Sequence, residues 1–80
     1  MKFRVYVNLK STVLDPQGEA INNALKKSGY DFVESVRVGK FFDIEVREVE
    51  SVEEKIQKIS TELLANPIIE SFKIEKGESI

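Results

Sequence analysis

Lys10-Ser11-Thr12-Val13-Leu14-Asp15-Pro16-Gln17-Gly18-Glu19-Ala20-Ile21 is the stretch on which the fold turns, because the hydrophobic period changes within it. Upstream, Phe3, Val5, Val7 and Leu9 alternate with Lys2, Arg4, Tyr6, Asn8 and Lys10, the period of a half-buried strand. Downstream, Ala20, Ile21, Ala24 and Leu25 recur at helical spacing. Asp15 is placed to cap the new helix by accepting from a free N–H of its first turn. Pro16 then takes the first helical position, where its missing N–H costs nothing. Val13 or Leu14 is positioned to staple onto that first turn. Gly29 is the expected left-handed stop, so the helix is expected from Pro16 to about Ser28. Its small residues would let it lie close on a sheet.

Working outward, Phe32 to Val49 is rich in β-formers and broken only by Gly39-Lys40, which reads as two strands joined in a hairpin. Val36, Val38, Phe42, Ile44 and Val46 share a face if Val38 pairs with Phe42 and Val36 with Ile44, leaving Gly39-Lys40-Phe41 as a three-residue loop. Ser51-Val52-Glu53-Glu54 reads as a capping box opening a second helix, with Val52, Ile56, Ile59, Leu63 and Leu64 along one side. Asn66-Pro67 should end that helix. A last strand is expected from Ile68 to Lys76, followed by a frayed tail at 77–80.

The order β-α-β-β-α-β points to an α+β, ferredoxin-like two-layer sandwich: a four-stranded antiparallel sheet with two helices on one face, in a single domain over 1–80. At 80 residues such a domain buries only about 60% of the surface its unfolded chain exposes, so the core is expected to be thin. The open sheet face, with Tyr6, Val33 and Phe41, or an edge strand is expected to be covered by another subunit.

Composition narrows the chemistry. The chain has no cysteine and no histidine, which excludes disulfides and thiolate metal sites and removes the commonest general base. A net charge of −2 with scattered Lys and Arg argues against a nucleic-acid binder. No apolar run is long enough to span a bilayer, so the expected location is the cytoplasm. Gly39-Lys40-Phe41-Phe42 has the wrong order of glycine and base for an RNA-recognition strand. Glu45, Glu48, Glu50, Glu53 and Glu54 are better read as carboxylates favoured by a helix N-terminus than as a magnesium site. Lys10, Arg37 and Lys40 lack a phosphate-cradling glycine loop.

Taken together, Val13-Leu14-Asp15-Pro16-Gln17-Gly18, Ala20-Ile21, Ala24-Leu25, Gly29-Tyr30, Val36-Arg37, Gly39-Lys40 and Leu63-Leu64-Ala65-Asn66-Pro67-Ile68-Ile69-Glu70 resemble the PurS family. PurS is the small subunit of phosphoribosylformylglycinamidine synthase, an ATP- and glutamine-dependent C–N ligase of purine biosynthesis. The resemblance runs through nearly the whole chain in order. It implies a non-catalytic subunit, a homodimer or homotetramer, that bridges a glutaminase subunit and a large synthetase subunit and supports ammonia transfer. It implies no catalytic, cofactor or metal residue here, with ATP and magnesium on the synthetase, and neither nucleic acid nor membrane as a partner. By carry-over, the interface candidates are Asp15, Pro16, Gln17, Gly18, Arg37, Gly39, Lys40, Asn66 and Pro67. Of these, Gln17, Arg37 and Lys40 have no evident folding role in the sequence. A stand-alone ferredoxin-like module binding a small ligand at a dimer interface is the alternative.

Overall fold

In the computed structural model, which describes residues 1–77, a three-stranded antiparallel sheet has β1 (Lys2–Leu9) at its centre, flanked by β2 (Gly39–Glu45) and β3 (Glu70–Lys76). Helix α1 (Pro16–Lys27) follows β1. Helix α2 (Val52–Ile59) precedes β3 and runs directly into a π-helical turn at Ser60–Leu64. The alternation in β1 works as the sequence implies. Phe3, Val5 and Val7 are buried on the inner face, where they meet Phe42, Ile44, Phe72 and Ile74 from the flanking strands. Val52, Ile56 and Ala65 close that core from the α2 side. The outer face carries Lys2, Arg4, Tyr6 and Asn8, with Asp43 and Phe41 beside Arg4 and Tyr6.

The expected hairpin does not form. Val36, Val38, Phe42, Ile44 and Val46 all fall on even positions, and an unbroken straight strand satisfies that alternation without any loop. Gly39, Lys40 and Phe41 lie within β2, paired in one continuous ladder with Asn8, Val7 and Tyr6, so the chain does not reverse there. Gly39 instead lies in β2 opposite Asn8, whose Oδ1 occupies the space a Cβ there would need. The sheet therefore has three strands where four were expected, and residues 32–38 precede β2 outside the ladder.

Helix α1 starts and stops as read, with Asp15 at its cap, Pro16 at its first position and Gly29 at φ 93° just past its end. It does not join α2 on the sheet core. Its only buried residue is Gly18, while Ala20, Ile21 and Ala24 are exposed. It packs instead along residues 30–38, and together they form an arm. The molecule measures 52 × 29 × 13 Å with a radius of gyration of 16.1 Å. A compact chain of this length would have a radius of about 12 Å.

Three local expectations also change. Ser51 sits in the left-handed region at φ 55° and makes no side-chain cap, so the capping box is not used. The π-helical turn, closed by Ala65 N–H donating to the Ser60 carbonyl, rotates the end of the α2 stripe. Leu63 is 78% exposed while Leu64 is half-buried. The last strand begins at Glu70, because Ile69 and Glu70 N–H both donate to the Asn66 carbonyl in a turn. Gly77 N–H donates to the Lys2 carbonyl at the end of the ladder, and residues 78–80 of the expected tail lie outside the described residues.

Candidate functional site

The root of the arm gathers most of the residues singled out in the sequence. Asp15 is 6% exposed and spends both carboxylate oxygens on backbone. Oδ1 accepts from Gly18 N–H at 2.9 Å, the helix cap, and Oδ2 accepts from Val38 N–H at 2.7 Å. The Val38 and Gly18 N–H groups, with Arg37 nearby, hold its carboxyl below the usual carboxylate range. Arg37 reaches the other way. Its guanidinium donates to the carbonyls of Lys10 and Val13 at 3.0 and 2.9 Å and so closes the loop between β1 and α1. Gly18 lets the first turn of α1 approach residues 30–38: a Cβ there would run into the Val36 carbonyl and come within 2.9 Å of Asp15 Oδ2. Asp15, Gly18 and Arg37 thus act on their own chain as a clasp. Arg37 has the folding role that the sequence did not show.

Beside the clasp lies an open cleft of about 440 Å³, lined by Val7, Leu9, Gln17, Val38, Lys40 and Glu70 among others. Gln17 and Lys40 are exposed, and Lys40 Nζ stands 4.0 Å from Glu70 Oε2. Asn66 and Pro67 lie outside that lining and shape the turn before β3 by local means. Asn66 Oδ1 accepts from Ile68 N–H, its own N–H donates to Glu70 Oε1, and Lys10 Nζ donates to the Pro67 carbonyl. Pro16 is exposed at the start of α1. Of the nine candidates, Asp15, Gln17, Gly39 and Lys40 line this cleft, and of those Gln17 and Lys40 have exposed side chains.

A second polar group, on the outer sheet face, was missed in the sequence. Arg4 donates Nε and an Nη to the two Asp43 carboxylate oxygens at 2.7 and 3.1 Å. This pairing draws the Asp43 carboxyl below its ordinary range and raises the guanidinium. Arg4 also lies over the Phe41 ring at 4.2 Å, and Tyr6 is 6.1 Å from that ring. The residues are adjacent only through the pairing of β1 with β2, which the expected hairpin did not specify. No described helix is long and apolar enough to cross a membrane.

A one-sided core, a clasped arm and polar residues bound mainly to their own backbone define a small α+β domain built on a three-stranded antiparallel sheet. Comparison with known proteins makes this specific. The family model PurS, described as phosphoribosylformylglycinamidine (FGAM) synthase, matches residues 2–78. The PurS subunit of phosphoribosylformylglycinamidine synthase from Bacillus subtilis is 36% identical over 80 residues, covering 99% of this chain and 95% of that protein. The PurS subunit from Archaeoglobus fulgidus is 43% identical over 72 residues, with 88% and 90% covered. Among solved structures, B. subtilis PurS superposes with a TM-score of 0.86 at 37% identity, with 92% and 94% covered. A chain of the PurLQS structure from Thermotoga maritima gives 0.79 at 33% identity, with 92% and 93% covered. The chain belongs to the PurS family of FGAM synthase subunits.

Proposed function

We propose that this chain is the non-catalytic assembly subunit of phosphoribosylformylglycinamidine synthase in de novo purine biosynthesis. It bridges the glutaminase and the ATP-dependent synthetase and supports ammonia transfer between them. The observation that carries this reading is the likeness, over almost the whole of both chains, to a chain of the T. maritima PurLQS structure. The residue types agree. Glutaminase chemistry of this kind uses a cysteine nucleophile, and the sequence holds neither cysteine nor histidine. ATP and magnesium belong on the synthetase and no cofactor on this chain. A cytoplasmic location accords with that role.

The working form is a homodimer or homotetramer. An arm whose apolar residues Ile21, Tyr30 and Phe32 are exposed, in a chain too extended to bury them itself, calls for a second copy. The ferredoxin-like four-stranded sheet belongs to that assembled form, with the fourth strand supplied from outside each chain. Gln17 and Lys40, exposed beside the cleft, are the contact candidates toward the larger subunits.

The test is affinity capture of the tagged chain from its own host, with and without glutamine and magnesium-ADP, with light scattering of what is recovered. Recovery of a glutaminase and a large synthetase is expected, and weaker recovery with Lys40→Ala. A chain that emerges alone under every condition overturns the bridging role.

A further inference from the structure

The inner face of the sheet is covered unevenly. Helix α2 seals it around Phe3 and Val5, while at the Leu9 end only the start of α1 borders it, because α1 leaves along residues 30–38. The cleft of about 440 Å³ opens there, within the size range of small-molecule sites. Strand register sets its chemistry. Val7 pairs with Lys40 and Leu9 with Glu70, so Lys40 and Glu70 flank the end of β1 on the face that carries Val7 and Leu9. With Val38, these residues give the cleft an aliphatic floor between a cation and a carboxylate.

The two charges are satisfied to different degrees. The Glu70 side chain is only 17% exposed, and its Oε1 accepts from Asn66 N–H at 2.7 Å. Among the described residues nothing donates to Oε2, since Lys40 Nζ, at 4.0 Å, stands beyond hydrogen-bond reach. A carboxylate oxygen withdrawn from water without a donor is costly, so this one is set to take an ammonium group. The Lys40 side chain is 57% exposed, and a pair so exposed contributes little, so its ammonium can turn to an incoming anion at small cost. Asp15 does not compete, because Gly18 and Val38 N–H occupy both its oxygens. Gln17, exposed at the start of α1, adds a carboxamide free to donate.

We infer that this cleft binds a free α-amino acid with an aliphatic side chain. The ligand's ammonium group donates to Glu70 Oε2, its carboxylate accepts from Lys40 Nζ and the Gln17 carboxamide, and its side chain lies on Val7, Leu9 and Val38. A lone anion would leave Glu70 Oε2 without a donor and meet its negative charge. A lone cation would meet the Lys40 ammonium in the same way. A zwitterion answers both groups at once. The inference goes beyond the assembly role and does not rest on it.

The test is titration of the full-length, isotope-labelled chain with L-leucine, followed through its amide NMR resonances. Saturable shifts are expected at Gln17, Lys40 and Glu70. Isocaproate, which lacks the ammonium group, and isoamylamine, which lacks the carboxylate, should each bind at least tenfold more weakly than L-leucine. Lys40→Met and Glu70→Gln should each weaken L-leucine binding at least tenfold. Glu70→Gln keeps an oxygen to accept from Asn66 N–H, so the turn before β3 stays in place. Equal binding of isocaproate or isoamylamine overturns recognition of a zwitterion, and no saturable shift at these residues with L-leucine overturns the site itself. Neither result bears on recovery of the two larger subunits by affinity capture, so failure of this inference is told apart from failure of the assembly role.

Discussion

The two halves of this molecule are built from similar material and held in different ways. In the sheet half, β1 is paired on both edges and its apolar face is sealed by α2. In the arm, α1 and residues 30–38 touch along one line, Ile21 and Phe32 are 40% and 77% exposed, and the hydrogen bonds cluster at the root. One half is stabilised by burial and the other mainly by positioning. The difference teaches that this sequence builds one half as a packed core and holds the other by a few hydrogen bonds at its root.

The largest expected effect tests that contrast directly. Ile56 is 1% exposed at the centre of the core, so Ile56→Ala should destabilise the chain by about 2–5 kcal/mol in denaturant titration. Ile21→Ala, in the arm, should cost under about 1 kcal/mol in the same titration of the dilute chain, since its side chain is 40% exposed. Its effect should fall on self-association instead. Equal losses would mean that the arm is as fully packed as the core.

Next in size is Gly18. Alanine in a helix is ordinarily favoured over glycine by about 1 kcal/mol. Here the added Cβ meets the Val36 backbone carbonyl, which cannot swing aside as a side-chain end would. Gly18→Ala should therefore be destabilising by about 1–3 kcal/mol, and hydrogen exchange should quicken in residues 30–38 before it does in the sheet. A stabilised variant would show that the arm has room to move outward at no cost.

Much of this was legible in the sequence, and what was missed has a physical pattern. Asp15-Pro16 and Gly29 bound α1 because capping and left-handed stops depend on a few neighbouring residues. The second bond of Asp15, to Val38, and the reach of Arg37 to Lys10 and Val13 span 23 to 27 residues, and no local pattern encodes them. The cap role of Asp15 is readable locally, Arg37 is an interface candidate by family resemblance, and the structure shows what else their side chains do. The straight strand through Gly39 was legible in principle, since one parity runs from Val36 to Val46. Gly39-Lys40 imitates a turn signal and competes with that parity.

Asp15 provides the test of the clasp with a defined sign. Its folded carboxyl titrates below its ordinary value, so its contribution to stability is present above about pH 4, the unfolded value, and is lost as pH falls through the folded one. Asp15→Asn keeps one acceptor but turns an NH₂ toward a backbone N–H. It should cost about 1 kcal/mol at neutral pH. It should also flatten the acid limb of a stability profile without abolishing it, because Asp43, held low by Arg4, still titrates there. An acid limb unchanged by the substitution would mean that Asp15 is solvated and the clasp open in solution.

The smallest effect concerns the joint between the halves of the sheet layer, where Ser51 is the one described non-glycine residue with positive φ. A left-handed non-glycine backbone costs about 1 kcal/mol or more, and Ser51 makes no cap bond that would offset it. Ser51→Gly removes that strain but gives the unfolded chain more freedom, a loss of about 0.4–1 kcal/mol. The two oppose each other, and the net should be a gain of a few tenths of a kcal/mol, read as a slightly higher denaturation midpoint with unchanged slope. Ser51→Ala keeps the strain and the unfolded-state freedom of an ordinary residue, so it should be nearly neutral. A clear loss with alanine would show that the hydroxyl caps α2 in solution after all, restoring the capping box at Ser51 and Glu54.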